Sequence, residues 1–115
     1  MEINTQVLKG YIDTIILSLL NEGEMYGYQL ANAVWERTGG NFELKEGTMY
    51  LSLKRLQANG FIESYWGGNE GGGARRKYYY ILDSGKKLYD DKVKEWRLVK
   101  SLLDTFLKEG DDHDA

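Results

Sequence analysis

Between residues 61 and 82 the chain reads FIESYW, then the glycine-dense GGNEGGGA, then RRKYYYIL. The two outer segments are rich in aromatic and other β-favouring residues, and glycine lets a chain reverse direction without steric penalty. This pattern predicts a two-stranded antiparallel hairpin with a long, flexible tip. Because the residues on both sides carry helical periodicity, only folds that insert one hairpin between helices remain.

Leu8, Tyr11, Ile12, Ile15, Ile16, Leu19 and Leu20 recur at three- and four-residue spacing and predict a first amphipathic helix. Asn21 to Glu24 break it. A second helix is expected from about Tyr26 to Thr38, with Leu30, Ala33 and Val34 inward, closed by Gly39-Gly40. A third, KEGTMYLSLKRLQANG at 45–60, places Met49, Tyr50, Leu53, Leu56 and Gln57 within about 120° of one another, with Gly60 as a left-handed cap. After the hairpin, Asp83 or Ser84 is a good N-cap for a helix reaching about Leu107. Its inward candidates are Leu88 or Tyr89, Val93, Trp96, Val99, Leu103 and Phe106.

Three short helices, a hairpin and a long last helix define a mainly α (α+β) fold, a winged helix-turn-helix with a two-stranded wing and a C-terminal dimerisation helix. The expected division is 1–82 as the DNA-binding domain, 83–109 as the dimerisation helix and 110–115 as a disordered acidic tail. A last helix that long cannot bury its stripe on so small a body, and an exposed apolar stripe marks a partner surface, most simply a second copy. Val93, Trp96, Leu103 and Phe106 are the dimerisation candidates.

The chain has 115 residues and no cysteine, so one core is expected and both disulfides and thiolate metal sites are excluded. Its most apolar stretch, Ile12 to Leu20, is far shorter than the roughly 20 residues of a membrane span, and no signal peptide is visible, so a cytoplasmic protein is expected. The net charge of -3 is unevenly spread: residues 1–44 carry two basic and six acidic side chains, whereas 45–77 carry six basic and three acidic ones. Positive charge is thus gathered in one segment, as a face presented to a polyanion requires.

On the third helix Thr48, Leu51, Ser52, Arg55 and Asn59 project opposite to the apolar stripe. Short polar side chains and an arginine on such a helix suit the major groove, and Lys45 with the first-turn amides suits a phosphate. Arg75, Arg76 and Lys77 at the foot of the hairpin suit the flanking backbone or minor groove. The same residues would also serve as a solvated face, or, given the acidic balance, as a docking surface for an acidic protein. Catalysis finds no support: the one histidine, His113, sits in the expected tail, and GGNEGGGARRK lacks the Gly-Lys-Ser/Thr ending and following helix of a phosphate loop. No cofactor or metal is expected.

YGYQL at 26–30, EGTMYLSLKRLQANGFIESYW at 46–66 and ARRKYYYILDSGKKL at 74–88 together resemble the PadR-like family of bacterial transcription regulators, particularly short members with a single C-terminal helix. The resemblance implies a dimeric repressor with the third helix in the major groove, the wing on the flanking groove and an inverted-repeat operator on double-stranded DNA. It also implies that a planar apolar effector can enter the dimer centre and stack on Trp96, in a pocket drawing on Leu8, Tyr11, Ile12, Ile15 and Val99. Leu51 stands where the family often has proline, Ser52 where it often has an apolar residue, and Asp83 replaces a threonine that commonly caps the last helix.

Overall fold

The computed structural model describes residues 3, 5–68 and 75–108. Residues 69–74 of the expected hairpin tip and the acidic tail expected at 110–115 lie outside those residues. An initial turn of helix, α1 (Thr5–Leu8), runs through a 3-10 turn at Lys9–Tyr11 into α2 (Ile12–Leu20). A two-residue strand β1 (Met25–Tyr26) precedes α3 (Gly27–Arg37) and α4 (Glu46–Ala58). Strands β2 (Ile62–Gly67) and β3 (Arg76–Ile81) form the hairpin, and α5 (Asp83–Leu107) completes the chain. The winged helix order is therefore as expected.

The wing has one strand more than the sequence predicts. β3 is central, pairing antiparallel with β2 from Ile62↔Ile81 to Gly67↔Arg76 and with β1 through Met25↔Tyr79 and Tyr26↔Tyr78. Two residues are too few to display alternation, so β1 is defined only by the partner that satisfies its backbone.

The helix ends follow from local chemistry. The Tyr26 amide donates to Gln29 Oε1 at 3.0 Å, which satisfies one donor at the start of α3. Gly39 and Gly60 take φ of +61° and +79°, and behind them Gly40 donates to the Trp35 carbonyl and Phe61 to that of Leu56, the paired bonding of Schellman caps. The start of α5 departs from expectation: the N-cap is Leu82, without a side-chain cap bond, and Asp83 lies in the first turn. Ser84 instead donates its hydroxyl to the Gly60 carbonyl at 2.6 Å. Asp83 still favours this end through the helix dipole.

The core gathers Ile12, Ile16, Leu17, Leu19 and Leu20 of α2, Leu30 and Val34 of α3, Met49, Leu53 and Leu56 of α4, with Phe42, Leu44, Ile62 and Tyr79. α2 is its axle, packing on α3, α4, β3 and α5. On α4 the buried arc is rotated by about 50° from the predicted stripe: Ser52 is fully buried and Tyr50 is 42% exposed. Only Gly85 of α5 is buried, and the helix, about 37 Å long at 1.5 Å per residue, leaves Trp96, Leu98, Leu102, Leu103, Phe106 and Leu107 exposed.

Candidate nucleic-acid interface

α4 presents Lys45, Leu51, Lys54 and Arg55 to solvent, with Thr48 half-buried between them. Its position is set from behind by α3. A Cβ at Gly27 would strike the Tyr50 hydroxyl and come within 3.1 Å of Met49 Cε, so the ends of these two α4 side chains lie directly against the first residue of α3. α1 and the 3-10 turn add residues that sequence reasoning missed. Gln6 and Lys9 share a notch of about 230 Å³ with Ile12, Thr48, Leu51 and Arg55.

Ser52 does not belong to the outward face. Its hydroxyl donates to the Asp13 carboxylate on α2, and Arg55 grips the same carboxylate through Nε to Oδ2 at 3.0 Å and Nη2 to Oδ1 at 2.6 Å. On an ideal wheel Ser52 stands only about 40° from Leu56, so a small shift of the buried arc toward α2 encloses it, and the carboxylate supplies the partner that a buried hydroxyl requires. Burial pushes the Asp13 carboxyl up, but the hydrogen bonds from Arg55 and Ser52, with the charges of Arg55 and Lys92, outweigh it and hold the group below the ordinary aspartate value. No pattern along α4 announced this pairing, because its acid lies 39 residues upstream of Ser52.

The wing cations rest on aromatic rings. Arg75 lies 5.4 Å from the ring centre of Trp66, and Lys77 lies 5.8 Å from it and 5.9 Å from that of Tyr79. Arg76, on the alternate side of the strand, lies 4.9 Å from the ring of Tyr26. Attraction between cation and ring face restrains these long side chains while leaving their charge available. Around them Tyr65 stacks on Tyr78, which meets Tyr26 edge to face. The Tyr65 hydroxyl donates to Glu24 and is pushed up to about 12 chiefly by that bond.

A separate cleft of about 490 Å³ opens between α2 and α5, lined by Leu8, Tyr11, Thr14, Ile15 and Ser18 on one side and Tyr89, Val93 and Trp96 on the other. Leu8, Tyr11, Ile15 and Trp96 thus line one cleft. Ile12 does not: it is buried in the core and borders the notch beside α4, standing about 110° around an ideal helix from the mean direction of Thr14, Ile15 and Ser18. Val99 joins a smaller adjoining hollow with Trp96 and Lys92. Among the described residues there is no acid, histidine or cysteine cluster able to hold a metal ion, and no helix long and apolar enough to cross a membrane.

Residues 16–91 match the profile of the transcriptional regulator PadR-like family. The fold superposes on a transcriptional regulator from Clostridium thermocellum with a TM-score of 0.84 and 42% identity, over 92% of this chain and 99% of that one. It superposes on a PadR family transcription regulator from Clostridium difficile with a TM-score of 0.75 and 44% identity, over 84% of this chain and 98% of that one. The negative transcriptional regulator PadR of Bacillus subtilis is 31% identical over 93 residues, which span 80% of this chain and 50% of that longer protein.

Proposed function

The chain belongs to the PadR-like family of transcriptional regulators, and from that premise we propose that it binds an inverted-repeat operator as a symmetric homodimer and represses transcription. Residues 1–82 form the DNA-binding body in this reading, and 83–109 the arm that joins two copies. α4 enters the major groove with Lys45, Thr48, Leu51 and Arg55, and the wing lays Arg75, Arg76 and Lys77 on the flanking backbone. The observation that carries the reading is the pairing of an exposed, partly cationic α4 with wing cations held on aromatic rings. Cations on two separate elements suit a duplex, which offers phosphates on both sides of a groove. Such a protein works in the cytoplasm, where the chromosome is.

Dimerisation is supported by α5, whose exposed Leu98, Leu102, Leu103, Phe106 and Leu107 form more apolar surface than an isolated helix keeps in water. Repression is supported by the name of the Bacillus subtilis relative.

A mobility shift with the DNA upstream of its own gene tests the proposal. With about three to five phosphates neutralised per protomer, the logarithm of the binding constant is expected to fall with the logarithm of salt at a slope of roughly -5 to -9. Absence of a shift at low salt rejects DNA binding.

The cleft beside Trp96 favours a sensing role alongside this one. Its walls are largely apolar and a half-exposed indole is available for stacking. Planar aromatic compounds are expected to quench the fluorescence of Trp96 saturably, and binding that is unchanged in Trp96→Ala removes this residue from the site.

A further inference from the structure

On the reading that α4 binds DNA, we propose that Asp13 is a positioning residue that sets sequence specificity, holding Arg55 for base-edge contact without touching DNA itself. Asp13 lies on α2, behind the helix that meets the groove. Its carboxylate is fixed by the hydroxyl of Ser52, which is fully buried, and it takes both Nε and Nη2 of Arg55. Two parallel bonds from a planar fork define the plane of the guanidinium, which one bond would leave free to turn. Nη1 takes no part in the pair, and 53% of the Arg55 side chain remains exposed beside Thr48 and Leu51.

Two consequences follow from elementary electrostatics and entropy. An arginine restrained before binding loses less conformational freedom when it meets a base, so the correct sequence gains most. An arginine already paired with a carboxylate attracts phosphates less, so binding to any sequence gains least. Both widen the gap between operator and random DNA. Ser52 contributes by orienting the carboxylate, which gives a buried polar residue on α4 a role that its position away from the groove would otherwise deny it.

The experiment uses the full-length protein and two probes, a duplex that the wild type selects from a random-sequence pool and a random duplex of equal length. Failure of the wild type to enrich any sequence overturns the DNA-binding reading itself and this proposal with it. With enrichment in hand, Asp13→Asn is expected to lower affinity for the selected duplex about ten-fold while leaving the random duplex unchanged or tighter. In an Arg55→Ala background the same substitution is expected to have no further effect on discrimination. Equal losses on both duplexes, or a loss that persists without Arg55, would assign Asp13 a purely structural role and overturn the proposal. Gain of affinity for the selected duplex overturns it too, since Asp13 would then only mask the arginine. Should Asp13→Asn fail to fold, Arg55→Lys decides: it keeps the charge but cannot make the fork, so discrimination is expected to fall while random binding holds. Unaltered discrimination in Arg55→Lys would sink the idea.

Discussion

Gly85, near the start of α5, lies directly against the backbone carbonyl of Phe61: a Cβ there would strike that oxygen and stand 2.8 Å from Cγ1 of Ile81. The same junction holds the Leu82 amide on the Phe61 carbonyl at 3.0 Å and the Ser84 hydroxyl on that of Gly60 at 2.6 Å. The direction in which α5 leaves the body is therefore set by the turn between α4 and β2. In a dimer joined through α5, that direction governs the spacing of the two α4 helices.

Gly85→Ala is accordingly expected to lower stability by about 1–3 kcal/mol, because backbone rather than a flexible side chain must move. Denaturant unfolding followed by circular dichroism measures it. Wild-type stability in the variant would mean that the junction yields easily and does not set the arm.

Asp13 gives a pH dependence whose sign is determined by its depressed folded-state pKa. Such a carboxyl contributes stability that is complete above its unfolded-state pKa and is lost as pH falls through that value toward the folded one. The denaturation midpoint is expected to decline as pH drops from about 5 to 3, and less steeply in Asp13→Asn. Identical acid profiles for the two proteins would contradict the assignment.

The wing and α4 are expected to respond differently to substitution. Removing Arg75, Arg76 or Lys77 should weaken all sequences alike and reduce the magnitude of the salt slope by about 1 each. Arg55→Ala should weaken specific binding by about 1–3 kcal/mol. Salt titrations on selected and random duplexes separate these effects, and equal losses for both kinds of variant would refute the division of labour.

Exposed leucines on α5 predict the assembly. Leu103, 49% exposed, replaced by Glu would place a charge in the proposed interface, where an unpaired ion costs several kcal/mol. Light scattering is expected to give twice the 13.2 kDa chain mass for the wild type and one chain mass for the variant. A monomeric wild type at working concentration would remove the dimer from the account.

The order of elements was legible in the chain because each helix and the hairpin carry their own periodicity or glycine punctuation. Leu88 to Phe106 advertise a long helical stripe, GGNEGGGA a reversal, and Gly39 and Gly60 the ends of α3 and α4. Candidate site residues were legible only in part. Leu8, Tyr11, Ile15 and Trp96 do line one cleft, and Tyr89 and Val93, read from the spacing only as inward residues of the last helix, join its wall, while Ile12 turns to the core and Thr14 and Ser18 take up wall positions that no spacing rule singled out.

Local patterns describe which side of one element is apolar, and that much is written along the chain. Which neighbour meets that side is a property of packing between distant segments. So the burial of Ser52, the grip of Asp13 on Arg55, the two-residue strand at Met25–Tyr26 and the seat of Gly85 on Phe61 were decided by the tertiary structure alone. The physical reason is common to all four: a hydroxyl, a carboxylate, a strand edge and a close backbone approach are each satisfied by a partner remote in sequence, and only the folded core brings the two together.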